Sequence, residues 1–201
     1  VYEDAVLLVV NKPAEFLSVP GKDITNSVYT RIKAQYPNAS GPLIVHRLDM
    51  STSGILILTK TKEANKILQS QFIKRTIKKR YIALLDGEIS ENSGKIQLPL
   101  RVDLDDRPRQ LVDFEYGKNA ITDWEIIKKE KGKTKVHFYP ITGRTHQLRV
   151  HAAHKDGLNT PIVGDDLYGK KENRLHLHAE FIEFLHPSTK EIMRFTVAAD
   201  F

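Results

Sequence analysis

Residues 120–140 read AITDWEIIKKEKGKTKVHFYP, and this stretch decides the class of fold. Two strand-like runs stand on either side of a turn near Gly132, which makes the segment a hairpin. Working outward from it, RYIALLDGEI (80–89) and KIQLPL (95–100) read as strands across a turn-rich link. HLHAEFIEFLHP and EIMRFTVAAD form a final hairpin over 176–199. Nearer the start, AVLLVVNKP (5–13) is a strand stopped by Asn-Lys-Pro, and ILILTK (55–60) is a β-branched and aliphatic run suited to a buried strand.

Helical signals interrupt this pattern at a few points. SVYTRIKAQYP (27–37) carries Val28, Ile32 and Tyr36 at helical spacing and ends at Pro37. TKEANKILQSQFIKR (61–75) places Ala64, Ile67, Leu68 and Phe72 on one face, with Thr61 as its cap. In ITGRTHQLRVHAAHKDG (141–157), Gly143 precedes a short helix and Gly157 suits its C-terminal end. DLDDRPRQ (103–110) is a loop by composition. Strands that come mostly as hairpins, with helices inserted between them, predict an α+β fold on a largely antiparallel sheet, and exclude a doubly wound nucleotide fold. No repeat, linker or low-complexity segment divides the chain, so residues 1–201 are expected to act as one domain. Val1 already lies in a strand-like pattern, so an upstream segment is expected.

The chain has 201 residues, 40% apolar and 28% charged, which is ordinary for a globular protein with a sizeable core. No apolar run approaches the ~20 residues that span a bilayer, and no signal peptide is expected. Zero cysteines exclude disulfides, iron–sulfur clusters and thiolate zinc sites, and fit a reducing cytoplasm. The net charge is +6. Its clustering matters more, because KRTIKKRY (74–81) gathers Lys74, Arg75, Lys78, Lys79 and Arg80. That run is either a solvated helix end or an electrostatic footprint for nucleic acid phosphates.

Three polar stretches sit at the ends of predicted elements. HRLDMSTSG (46–54) places Asp49 at the mouth of the ILILTK strand, as a turn-former or a reactive carboxylate. Tyr81 opens an otherwise apolar strand directly after the basic run. GRTHQLRVHAAH (143–154) crowds Arg144, His146, Arg149, His151 and His154 onto one short helix, where an arginine could hold a buried carboxylate charged and oriented. The pairs His151/His154 and His176/His178 invite a metal reading. Their spacing is not that of a zinc-binding helix and they lie on different elements, so no metal site is expected. Glycine-rich phosphate loops are absent.

HRLDMSTSGILILTK, KKRYIAL, PITGRTHQLRVH and IVGDDLYG, in that order, resemble the signature blocks of the RluA family of RNA pseudouridine synthases. NKPAEFLSVPG near the start and LHLHAEFIEFLHP near the end extend the resemblance over nearly the whole chain. The resemblance implies the pseudouridine synthase fold: a mixed, mainly antiparallel sheet with flanking helices and a central cleft. It implies that Asp49 is the nucleophile, that Tyr81 stacks on the uracil, and that Arg149 pairs with Asp49. Arg47 would lie beside a flipped nucleotide. Lys78, Lys79, Arg80, Arg144 and His146 are the further candidates for contact with RNA.

The implied substrates are stem-loops of ribosomal RNA, transfer RNA or both, acted on in the cytoplasm by a monomer, with no membrane partner and no cofactor. Three departures touch the expected substrate contacts, the first being a link between the HQLR helix and IVGD (HKDGLNTPIVGDDLYG) longer than in the shortest family members. Glu15 replaces a usual glycine in NKPAEFLSVPG, and Asp166 stands where many relatives carry a basic residue. A non-catalytic RNA-binding module on the same fold is the alternative class, and the presence of Asp49, Tyr81 and Arg149 together argues against it.

Overall fold

A computed structural model describes all 201 residues. The chain folds as two compact units, residues 1–79 with 179–200 and residues 80–178 with the terminal Phe201. It passes from the first unit to the second within β4 (Lys78–Leu85) and returns within β10 (Leu177–Leu185).

In the first unit, β1 (Tyr2–Glu3), β2 (Leu7–Lys12) and β3 (Ser53–Thr59) pair in succession as antiparallel strands, with Leu7 opposite Thr59 and Lys12 opposite Gly54. β10 is the next neighbour of β3 and also pairs with β11 (Ile192–Thr196), the expected final hairpin. Every residue of β3 is buried, as its unbroken aliphatic run requires. Its entry depends on one glycine. Gly54 has φ 115°, and a Cβ there would stand 2.3 Å from the Ala179 carbonyl oxygen.

The helix α1 (Val28–Gln35) starts on a capping box, in which Ser27 Oγ accepts the Thr30 N–H and Thr30 Oγ1 accepts the Ser27 N–H. The helix α2 (Lys62–Ile73) starts on Thr61, whose Oγ1 accepts the Ala64 N–H. Leu68 of α2 joins Leu7, Val9, Ile55, Ile57, Ile77, Ile182 and Phe184 in the core of this unit.

The second unit is built on the strands β4, β9 (Lys133–Pro140), β8 (Ile121–Glu130) and β5 (Ser93–Gln97), in that spatial order and antiparallel throughout. The β8–β9 hairpin therefore separates two strands that are close in sequence. It turns on Lys131 and Gly132, at φ 53° and 72°, the paired left-handed residues that match strand twist in a two-residue turn. The expected strand over 95–100 breaks at Pro99, which has no N–H to donate. Its second half becomes β6 (Leu100–Val102), paired with β7 (Gln110–Val112) in a separate ribbon. The 103–110 segment is thus a loop only as far as Arg109.

Helix α3 (Gln147–Ala153) is seven residues long and buried along almost its whole length. It packs Leu148 and Ala152 against Leu85, Trp124 and Phe138. Gly157 corrects its expected role. It does not take the left-handed cap conformation but is needed for close approach, because a Cβ would stand 2.1 Å from the His151 carbonyl oxygen. No helix is long and apolar enough to cross a membrane.

Candidate active site

The loop that carries Asp49 is held from beneath by side chains that bond backbone atoms. Ser18 Oγ donates to the Leu48 carbonyl at 2.7 Å and accepts the Leu48 N–H at 3.1 Å, so both polar groups of that residue are satisfied by one buried hydroxyl. The Thr52 N–H closes a turn onto the Asp49 carbonyl at 3.2 Å. Lys12 is fully buried. Its ammonium donates to the carbonyls of Pro13, Phe16 and Met50 at 2.9, 2.6 and 3.0 Å. A buried cation needs such a cage of acceptors, and this one ties the 13–16 loop to the residue after Asp49. Asp49 itself is half-buried and Arg47 is exposed.

His46, the first residue of HRLD, is tied into the fold by its ring. Its Nε2 accepts the Ile57 N–H at 2.9 Å, so the ring is neutral with its proton on Nδ1, and it stacks on Phe72 at 4.8 Å. Burial, helped by the nearby Lys79 cation, pushes its pKa down to about 3. Burial likewise pushes Lys79 down to about 8.

The basic run 74–81 is split by the structure. Lys74 caps α2 and Arg75 takes φ 58°, so the helix ends and β4 begins two residues earlier than the sequence suggested. Lys78 is exposed and paired with Glu183 at 2.8 Å. Arg80 and Tyr81 are half-buried on β4, Tyr81 opposite Phe138 and packed on the core of the second unit.

Arg149, on α3, is 2% exposed and sits between two acids, of which the sequence pointed only to Asp166. Its Nε donates to Asp165 Oδ2 at 2.9 Å and Nη2 to Asp165 Oδ1 at 2.6 Å. Nη2 also donates to Asp166 Oδ1 at 2.9 Å. Asp165 Oδ1 further accepts the N–H groups of Leu167 and Tyr168, both at 3.0 Å. The guanidinium lies 5.3 Å from the centre of the Tyr168 ring. The Tyr168 hydroxyl accepts the Gln110 N–H at 2.7 Å and is 2.8 Å from Nδ1 of His146. His146 is buried in the left-handed region at φ 52°, at the head of α3. Arg144 is exposed, and its Nε donates to the Asn119 carbonyl at 3.1 Å.

The opposite face of α3 is pinned to β8. The Gln147 amide donates to the Ile121 carbonyl and Thr122 Oγ1 at 3.0 and 2.9 Å. Its oxygen accepts from Thr142 Oγ1 and the Arg144 N–H at 2.7 and 3.0 Å. His151, one turn on, meets the same Thr122 hydroxyl at 3.0 Å, and burial draws its pKa down to about 4. Two other histidines of the metal reading are engaged locally. His154 Nδ1 accepts the Asp156 N–H, and His176 Nδ1 lies near the carbonyls of Val163 and Arg174. No group of three or more His, Asp or Glu side chains converges with metal-binding geometry.

Asp165, Tyr168 and Lys12 were the residues missed. IVGDDLYG and NKP were visible as motifs, but nothing in their spacing tells which other side chain each residue meets.

Residues 6–154 match the family model described as RNA pseudouridylate synthase. Over 208 aligned positions the chain is 42% identical to the dual-specificity RNA pseudouridine synthase RluA of Yersinia pestis, covering all of this chain and 98% of that protein. It is 43% identical to the protein of the same name from Escherichia coli (strain K12), covering 92% of it. Among solved structures, human RNA pseudouridylate synthase domain containing 1 superposes with a TM-score of 0.81 at 30% identity, over 99% of this chain and 82% of that one. Human RNA pseudouridylate synthase domain containing 4 shares the fold, with a TM-score of 0.77 at 23% identity over 98% of this chain and 87% of its own. With the HRLD loop, the strand tyrosine and the HQLR helix all in place on an α+β fold, the chain belongs to the RluA family of RNA pseudouridine synthases, which are isomerases.

Proposed function

We propose that this enzyme converts specific uridines in stem-loops of ribosomal RNA, transfer RNA or both to pseudouridine, with Asp49 as the nucleophile. Support for more than one kind of RNA substrate comes from relatives named dual-specificity, which this chain covers to 98% and 92% of their length. The reaction breaks the bond from ribose C1′ to uracil N1, turns the base and rejoins it through C5. It conserves every atom but one exchanged proton and moves no electrons to a carrier, so it asks for no cofactor. A carboxylate adding to the sugar or base must be ionised and near the surface. Asp49 meets the second need, being half-exposed on a loop whose neighbours are fixed by Ser18 and Lys12.

The family pattern assigns Tyr81 to stack on the uracil and Arg149 to hold Asp49 in its charged form. The uridine must leave its stack to be reached, and unstacking costs a few kcal/mol, least at an unpaired base. Arg47, Lys78 and Arg144 are exposed and suited to phosphates, and Arg80 is half-buried. Lys79 and His146 are more enclosed and would touch RNA over shorter reach. The whole of residues 1–201 would work as one catalytic domain, as a monomer in the cytoplasm.

The observation that carries this reading is the pinned loop with a half-exposed Asp49 at the head of a fully buried strand. Asp49→Asn is nearly isosteric and removes only charge and nucleophilicity. It should abolish tritium release from C5-labelled uridine in stem-loop RNA while leaving the unfolding midpoint unchanged. Retention of about a tenth of wild-type turnover would rule Asp49 out as the nucleophile.

A further inference from the structure

The turn after β7 holds two aromatic rings out in solvent. Phe114 is 73% exposed and Tyr116 71%. The turn beneath them is rigid. Asp113 Oδ1 accepts the N–H groups of Glu115 and Tyr116 at 2.8 and 2.9 Å, and the Gly117 N–H donates to the Asp113 carbonyl at 3.0 Å. A Cβ at Gly117 would stand 2.2 Å from that carbonyl oxygen, so only glycine closes the turn. The second oxygen of Asp113 pairs with Arg101, which holds its carboxyl down at about 2. The neighbouring Glu115 carboxylate pushes the pKa of the Tyr116 hydroxyl up.

Cations border the rings. Lys118 follows directly and is exposed, and the exposed Arg144 bonds the carbonyl of Asn119. The acidic residues Asp103, Asp105 and Asp106 belong to the loop at the other end of the ribbon, since Val102 faces Gln110 there while Leu100 faces Val112 beside the turn. On the aromatic side Asp113 is already matched by Arg101, and Glu115 stands between the two rings in the sequence.

We infer that the Phe114–Tyr116 turn is a stacking platform for unpaired bases of the substrate RNA, away from the residues assigned to the chemistry. The choice of RNA as the occupant rests on the functional reading above. Stacking suits any base, since every base has a π-face, and the flanking Lys118 and Arg144 suit the phosphates between stacked bases. A protein partner would call for a contiguous apolar patch. Here Asp113 and Glu115 alternate with the rings and break such a patch.

The test compares a stem-loop carrying the substrate uridine with a blunt duplex of the same composition, using fluorescence anisotropy for affinity and tritium release at saturating RNA for turnover. Phe114→Ala combined with Tyr116→Ala should weaken stem-loop binding roughly tenfold or more, as loss of base–aromatic stacking does. Duplex affinity and turnover at saturation should stay at wild-type levels. Phe114→Trp should bind like wild type, whereas Phe114→Leu, apolar without an aromatic face, should weaken binding as alanine does. Unchanged stem-loop affinity in the double variant would overturn the platform. So would wild-type affinity for Phe114→Leu, which would mark the turn as a plain apolar contact. If the wild-type enzyme released no tritium from any stem-loop, the isomerase reading of the substrate would fail, while the binding comparison would still decide whether this turn holds RNA.

Discussion

Asp165 holds Arg149 edge-on, carboxylate to guanidinium, with two parallel hydrogen bonds of 2.9 and 2.6 Å and both side chains sealed from water. The arginine fork is rigid and planar, so a bidentate partner fixes its plane as well as its position. Asp166 adds a second carboxylate to the same nitrogen. By formal charge the trio is therefore anionic. Arg149 is better equipped to aim a particular N–H than to bathe its surroundings in positive potential.

Arg149→Met should accordingly destabilise the fold by about 3–5 kcal/mol, the usual result of removing one partner from a buried pair. Asp165 would keep only its bonds from Leu167 and Tyr168. Arg149→Lys should fall between the two, because a point charge cannot span both oxygens. Urea unfolding measures this, and a loss under about 1 kcal/mol for the methionine variant would show that the pair contributes little.

The pH dependence of stability follows from two histidines. His46 and His151 have folded pKa values pushed down to about 3 and about 4, against 6.5 when exposed. Below pH 6.5 the unfolded chain binds protons that the folded chain refuses. The stability these neutral rings contribute is therefore full above pH 6.5 and is lost as pH falls toward 4. The slope should approach ~1.4 kcal/mol per pH unit for each group. Unfolding midpoints between pH 7 and 5, above the range where most carboxylates titrate, compared with those of His46→Gln and His151→Gln variants, measure the effect. A flat profile there would mean the rings are not excluded from protonation.

Lys12→Met would strip the buried ammonium from the carbonyl oxygens of Pro13, Phe16 and Met50. A buried acceptor left without a partner costs ~1–3 kcal/mol. The variant should lose at least about 3 kcal/mol and show new protease sensitivity around residues 13–18 and 46–52. Wild-type stability and protease resistance would mean that water or neighbouring groups replace the ammonium.

Glu15 is exposed at φ 55°, a conformation that disfavours any residue with a Cβ. The left-handed region costs such residues ~1–2 kcal/mol, partly offset by the greater freedom that glycine adds to the unfolded chain. Glu15→Gly should therefore raise stability by up to about 1 kcal/mol with turnover unchanged. Thermal unfolding gives the answer, and a lower midpoint would show that the glutamate makes a contact worth more than the strain.

Much of the architecture was legible because it is local. The run ILILTK had to be buried, Ser27 and Thr61 had to cap helices, and Gly132 had to turn the hairpin. Where the sequence misled, a single residue with a non-local reason was at work. Pro99 divided one expected strand between two sheets, and Gly157 proved to be a close-approach residue and not a cap. The candidate site was legible as motifs because the reactive types recur in recognisable strings. Its supporting contacts were not. Asp165 lies sixteen positions after Arg149 and Lys12 thirty-eight before Met50, and no periodicity reports which buried charge meets which partner.

The glycine at the mouth of β3 restricts how this enzyme can change. Position 54 accepts no side chain, since even a methyl group would collide with the backbone at Ala179, and it lies only five residues after Asp49. The path of the chain away from that carboxylate is therefore a property of backbone touching backbone, which point mutation cannot adjust by degrees. Gradual variation around Asp49 is left to exposed neighbours such as Arg47 and Met50. Selection can redecorate the approach to the aspartate without being able to move it.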